Sequence, residues 1–169
     1  MLRIREATEN DVAEILYIRK GIISQNEFFI STSEEFHVDV EAQKNKTLTN
    51  SRQGGVTFVA EDDEQIVGFL VFKRNLMKRL NHTGSFGMGI LEDYRNQGVG
   101  TKLLPQLIDW AKTQEGIEKI CLGVFSTNER AIKVYEKIGF KEEGRERGQI
   151  KFEDGRYADN VLMALDIDQ

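Results

Sequence analysis

Two glycines one residue apart, Gly98 and Gly100, sit in the string Arg95-Asn96-Gln97-Gly98-Val99-Gly100-Thr101, just before a run whose apolar residues Leu103, Leu104, Leu107, Ile108 and Ala111 fall on one helical stripe. A helix that begins here leaves its first main-chain N–H groups without internal acceptors. Those donors and the helix dipole together favour an anion. Lacking Cβ atoms, Gly98 and Gly100 let a diphosphate come close to the backbone, and Arg95 adds a cation. The chemistry offered is phosphate recognition, although glycines before a helix are also ordinary chain punctuation, so the turn alone leaves both readings open. Two other phosphate motifs fail. No Gly-x-x-x-x-Gly-Lys-Ser/Thr string occurs, and the Gly-x-Gly-x-x-Gly dinucleotide fingerprint breaks at Leu103 after Gly98-Val99-Gly100 and at Glu92 after Gly87-Met88-Gly89.

The elements that must position this turn follow from periodicity. Residues 2–7 alternate apolar and charged side chains like a half-buried strand, and Thr8 can cap a helix carrying Val12, Ile15, Leu16, Ile18 and Ile22 on its apolar side. Residues 24–37 scatter Phe28, Phe29, Ile30 and Phe36 among polar residues without a period and read as a partly ordered loop. A polar helix over about 39–52 ends at Gly54-Gly55. Strands over 56–61 and 65–73 form a hairpin across Asp62-Asp63-Glu64, and a third strand of the meander spans about 82–91. A helix over about 99–114 tolerates Pro105 if that residue lies near its first turn. Then come a strand over 119–125, a helix over 128–138, and a hairpin of 140–150 with 156–167 around Asp154-Gly155. The order β-α-α-β-β-β-α-β-α-β-β predicts an α/β fold, a mixed sheet of about seven strands flanked by about four helices. The strands before and after the third helix should be parallel across a right-handed crossover.

A second segment then joins the glycine turn. Arg95-x-x-Gly98-x-Gly100, preceded by Glu92-Asp93-Tyr94 and a strand, resembles the acetyl-CoA signature of the GNAT superfamily of N-acetyltransferases. Asn128-Glu129-Arg130-Ala131-Ile132-Lys133-Val134-Tyr135-Glu136-Lys137-Ile138-Gly139-Phe140 is similar to that family's Asn-x-x-Ala-x-x-x-Tyr-x-x-x-Gly-Phe segment. The resemblance covers essentially the whole chain, most strongly over about 85–144 and least over 24–55. It implies the GNAT fold in a single domain over 1–169, with acetyl-CoA as co-substrate lying between splayed fourth and fifth strands. By the same resemblance, the pantetheine amides pair with main chain near Met88, Gly89 and Ile90. The diphosphate meets the turn formed by Arg95, Asn96, Gln97, Gly98, Val99, Gly100 and Thr101, while Asn128, Ala131 and Tyr135 reach the cofactor from the second segment. A bulge in the fourth strand would account for the splay.

Acetyl transfer to an amine needs a neutral nucleophile, a polarised carbonyl and a proton for the departing thiolate. Tyr135 lies about two turns after Asn128, on roughly the same helical face. By resemblance it is the general acid; the competing reading is a core tyrosine with its hydroxyl on a backbone carbonyl. Asn128 is a good helix N-cap, and a main-chain N–H over 88–90 would serve as oxyanion donor. Glu27, Glu34 and Glu35 fall in the loop where this family builds its acceptor site. Each of the three taken singly reads first as a solvated surface carboxylate; among them Glu27, beside Phe28-Phe29, is the first choice as base. Cys121, in an apolar strand, reads as a small core residue rather than an acyl carrier, and His37 and His82 carry no motif.

Bulk composition bounds the rest. The net charge of −5 without a long run of Lys or Arg argues against nucleic acid as partner; it suits a cationic substrate, or solubility alone. One cysteine excludes an intrachain disulfide, and with two histidines it makes a poor zinc set, so no metal is expected. Charges interrupt the N-terminal apolar residues as they do not in a signal peptide, and no apolar stretch reaches the length of about 18 residues that a membrane span needs. A cytoplasmic protein without a membrane partner is expected. These readings converge on transfer of acetyl from acetyl-CoA directly to a primary amine, such as a polyamine or amino acid, through a ternary complex. The rivals are acetylation of a protein N-terminus or lysine, and a non-catalytic CoA-binding module. The segment over 148–163 resembles the closing hairpin of a GNAT branch that includes spermidine and ribosomal-protein N-terminal acetyltransferases. Alternation puts Tyr157 and Asp159 on one face, toward the acceptor or toward the second subunit of a homodimer.

Overall fold

The computed structural model describes residues 1–25 and 27–167; Asn26, inside the predicted loop, lies outside the described residues. Seven strands form one sheet: β1 (Leu2–Glu6), β2 (Val56–Asp62), β3 (Gln65–Arg74), β4 (Thr83–Ile90), β5 (Lys119–Phe125), β6 (Lys141–Lys151) and β7 (Tyr157–Asp166), in the order β1-β2-β3-β4-β5-β7-β6. Helices α1 (Val12–Ser24) and α2 (Val40–Arg52) cover one face, and α3 (Val99–Thr113) and α4 (Glu129–Ile138) the other. The apolar runs of β2 and β3 are buried because both faces are covered. Val59 and Phe69 join Ile15, Ile18 and Ile22 of α1, whereas Phe58, Leu70 and Phe72 join Leu103, Leu104 and Leu107 of α3. The last strand in the order, β6, is charged and exposed for most of its length, as suits a sheet edge.

Two local expectations need revision. Thr8 does not cap α1 directly, because a 3-10 turn over Glu9–Asp11 intervenes and α1 begins at Val12. The Asp11 carboxylate accepts from the Thr8 N–H at 2.7 Å and from two nitrogens of Arg5 at 2.7 and 2.8 Å. The same Arg5 donates to Glu61 of β2 at 3.0 and 2.7 Å, so one guanidinium ties β1, β2 and the start of α1 together. Pro105 sits in the second turn of α3, past the position where its missing N–H would cost nothing. It is exposed, which leaves the Thr101 carbonyl toward water, and burial of Leu103, Leu104, Leu107 and Ala111 on the opposite side keeps the helix continuous.

The parallel pairing of β4 with β5 spans only Thr83↔Lys119, Gly84↔Ile120 and Ser85↔Cys121, after which the strands part. The splay is present, but no bulge in β4 causes it: β4 follows β3 in unbroken register from Gly68↔Ile90 to Arg74↔Gly84. The break has another origin. β4 is locked to β3, and β5 is equally locked to β7 from Lys119↔Asp166 to Phe125↔Asn160. Two continuous ladders joined at three pairs diverge with the sheet twist.

Candidate active site

The open end of the β4–β5 gap, the first turn of α3 and the start of α4 meet around a cavity of about 290 Å³. Main-chain groups alternate in direction along an antiparallel strand, and the Leu91 N–H donates toward β3, to the Val67 carbonyl at 2.9 Å. Met88 and Ile90 therefore turn their N–H and C=O groups to the gap, while the Phe86 N–H, facing the same way, belongs to the last pair with β5, Ser85↔Cys121. Met88, Gly89 and Ile90 all line the cavity.

The phosphate-type turn is built as its glycines suggested. Gly98 takes the left-handed conformation, φ 79°, as the N-cap of α3, and no side chain caps the helix there. The first N–H groups of α3 thus stay open at the cavity, which Gly98, Val99, Gly100 and Thr101 line. A Cβ on Gly100 would lie 3.3 Å from the Met88 Cε, so the missing atom lets the helix start against β4. Arg95 donates to the Gln25 Oε1 at 2.8 Å and stands 3.8 Å from the Glu27 carboxylate, while Gln25 donates to Glu92 at 2.8 Å. These contacts clasp the end of α1 to the turn before α3.

Tyr135, on α4, is buried, with its ring edge-on to Phe86 and Phe140 at 5.9 Å from each. Its side chain lines the cavity. Burial pushes its pKa up to about 12, so it is protonated at neutral pH. Asn128 caps α4, its Oδ1 accepting from the Ala131 N–H at 3.3 Å, and both residues line the cavity.

Arg95, Asn96 and Glu27 also reach the cavity wall. Gln97 does not; its side-chain amide braces the turn by donating to the Asp93 carbonyl at 2.6 Å. Glu34 and Glu35 are exposed and off the cavity wall, and Glu35 caps Thr32, whose N–H and hydroxyl hold the carboxyl below the usual carboxylate range. Cys121 is half-buried and belongs to neither core cluster, so it is not the core residue expected; partial burial still pushes its thiol up, which does not suit a nucleophile.

Sequence reasoning missed several walls of the site. Ile22, Phe29, Tyr94 and Val134 line the cavity, and Arg130 and Lys133 line an open groove of about 780 Å³ continuous with it through Arg95, Asn96 and Asn128. Arg130 and Lys133 occupy unspecified positions of the Asn128 segment. Their spacing of three residues, which places them on one helix face, was the available signal. Open amides at the helix start and the cations Arg95, Arg130 and Lys133, set among the carboxylates Glu27, Glu92 and Glu129 of the same groove, fit an anionic group held at the α3 turn.

The family model for the acetyltransferase (GNAT) family matches residues 23–140. The chain belongs to that family. It is an acetyl-CoA-dependent N-acetyltransferase, with acetyl-CoA as co-substrate and an amine as acceptor. An L-amino acid N-acetyltransferase, AaaT, of Escherichia coli is 29% identical over 161 residues, 95% of this chain and 95% of that protein. A ribosomal protein bS18-alanine N-acetyltransferase of Escherichia coli is 31% identical over 118 residues, 66% of this chain and 78% of that enzyme. A GNAT-family acetyltransferase of Streptococcus pneumoniae superposes with a TM-score of 0.92 at 25% identity, covering 99% of this chain and 100% of that one. The GNAT fold expected from the two motifs is therefore the fold observed.

Proposed function

We propose that this GNAT enzyme acetylates a small primary amine, an amino acid in preference to a polyamine, by direct transfer in a ternary complex. The observation that carries the reading is the apolar lining of the cavity that Tyr135 reaches. Ile22, Phe28 and Phe29 line the same cavity of about 290 Å³ as the β4–β5 gap, a volume that suits a small acceptor. The similarity to an L-amino acid acetyltransferase over 95% of the chain supports it.

Acetyl-CoA supplies an acyl group activated as a thioester and a thiolate as leaving group. In the proposed arrangement the N–H groups of Val99, Gly100 and Thr101, with Arg95, neutralise the diphosphate, and a main-chain N–H of Met88 or Ile90 polarises the thioester carbonyl. Glu27, the carboxylate on the cavity wall, takes a proton from the acceptor ammonium. The free amine attacks the carbonyl carbon, the C–N bond forms and the C–S bond breaks. Tyr135 donates a hydrogen bond to the sulfur as it leaves. A thiol ionises near about 8.5, so complete transfer of the Tyr135 proton is uphill by roughly 5 kcal/mol. Tyr135 therefore acts mainly by stabilising the developing thiolate, whose final proton comes from the acceptor. A cytoplasmic location and a homodimer go with this reading; exposed Tyr157 on the closing hairpin supports the second.

Thiol release measured against amino acids, polyamines and N-terminal peptides tests the proposal. The highest kcat/KM is expected with an amino acid. Faster turnover of alanine-terminated peptides would favour the ribosomal-protein reading, and acetyl-CoA binding without thiol release from any acceptor would mark a non-catalytic module.

A further inference from the structure

Four arginines are half-buried: Arg5, Arg19, Arg74 and Arg95. Three are satisfied from within the protein: Arg5 by Asp11 and Glu61, Arg74 by the carbonyls of Asn81 and Glu115, and Arg95 by Gln25 and Glu27. Arg19, on α1, is different. Its guanidinium carbon lies 4.8 Å from the centre of the Phe69 ring, and among the described residues it has no hydrogen-bond or ion-pair partner. Removing a guanidinium from water without an anion is unfavourable, and ring contact returns only part of the loss. The nearest acidic residue on its own helix, Glu14, is occupied by the Ile66 N–H at 3.0 Å. The strands it faces carry no Asp or Glu from residue 65 to residue 91.

What Arg19 overlooks is equally unusual. On this face of the sheet β4 presents Ser85, Gly87 and Gly89 beside Lys73, Val71 and Phe69 of β3. A Cβ on Gly89 would meet the Phe69 ring at 2.7 Å, whereas one on Gly87 would meet nothing within 4 Å. Open space is therefore confined to Gly87, which is exposed; at Gly89 the Phe69 ring and Ile22 fill the place of a side chain, and Ile22, one turn after Arg19, lines the cavity together with Gly89.

We infer that Arg19 receives a carboxylate of the acceptor: an unpaired, partly desolvated guanidinium over Phe69, one helical turn before the cavity-lining Ile22, makes the acceptor an α-amino acid with its amine directed to the cavity wall at Ile22 and Gly89. This inference rests on the acetyl-transfer reading and adds the group that recognises the acceptor. Arg19 is a specificity residue on the helix that also brings Ile22 to the cavity wall.

The test compares an α-amino acid with its own carboxamide, which keeps the amine and side chain but not the charge. Thiol release is followed at saturating acetyl-CoA for the unaltered chain, Arg19→Gln, Arg19→Lys and Gly87→Asp. The unaltered chain should prefer the acid. In Arg19→Gln the acid-over-amide ratio of kcat/KM should fall by about 10- to 100-fold, chiefly through KM for the acid, the range for a lost charged hydrogen bond. Arg19→Lys should recover part of the preference. Gly87→Asp has room for its side chain and should lower the same ratio by repulsion, so it carries the test if Arg19→Gln does not fold. Indifference of the unaltered chain to the carboxylate, or parallel loss for acid and amide in the variants, overturns the inference and leaves Arg19 as packing on Phe69. Failure of the underlying reading is distinct, because no amine of either kind would then release thiol.

Discussion

Tyr135 is placed for its proposed role by what surrounds its hydroxyl: an apolar ring of Phe86 and Phe140 behind it and the cavity in front. Tyr135→Phe removes the donor and keeps the packing. It should lower kcat by about 100-fold, the lower part of the range for a lost acid, with little change in acetyl-CoA affinity by calorimetry. The raised pKa fixes the sign of the pH profile. The hydroxyl is lost only as pH rises toward about 12, so kcat should show no downturn near pH 10, where an ordinary tyrosine would ionise. A downturn there that disappears in Tyr135→Phe would contradict the burial. Gly98 makes a separate prediction. Its φ of 79° is open to Asn and strained for most residues. Gly98→Asn should still bind acetyl-CoA, whereas Gly98→Glu, which sets a carboxylate at the diphosphate turn, should lose binding. Equal affinities in the two variants would displace the assigned site. Gly98 and Tyr135 were legible in the sequence because each belongs to a spaced motif. Arg19, Ile22 and Phe29 were not, because only the packing of α1 and its following loop against β3 and β4 brings them to the site.

The helices and strands were legible for a simpler reason: their periods are local. The α2 boundary at Asp39 appeared as predicted, with the aspartate accepting from the Ala42 N–H at 3.1 Å. What a period cannot carry is the relation between elements, and so the missing bulge in β4 and the 3-10 turn before α1 were not anticipated. The Arg5, Asp11 and Glu61 cluster is such a relation. Arg5 holds the Asp11 carboxyl below its ordinary range. A depressed folded-state pKa means that the stabilisation is present above the unfolded value, about 3.9, and is lost as pH falls through the folded value. Asp11→Asn should cost about 2 kcal/mol at neutral pH, the range for a hydrogen bond to a charged group. Melting temperatures of the two proteins should converge as the buffer is taken from pH 6 to pH 3; a constant difference would remove Asp11 from the acid response.

Across the whole molecule, the sheet is two ladders, β1-β2-β3-β4 and β5-β7-β6, joined at the three pairs over Thr83–Ser85. Beyond that junction Met88 and Ile90 present an interior row of peptide groups with no neighbouring strand. An extended ligand with amides of its own can supply the absent partner, so the acyl donor would serve as a temporary eighth strand as well as a reagent. Binding should then stiffen the protein along a line, not only at a point. Amide hydrogen exchange at Met88 and Ile90 should slow on adding acetyl-CoA, while exchange in the already paired β2 and β3 should change little. Protection confined to the α3 turn would show that the donor is held by its phosphates alone. On that arrangement the architecture would be complete only while the donor is held, and product departure would reopen the seam between β4 and β5.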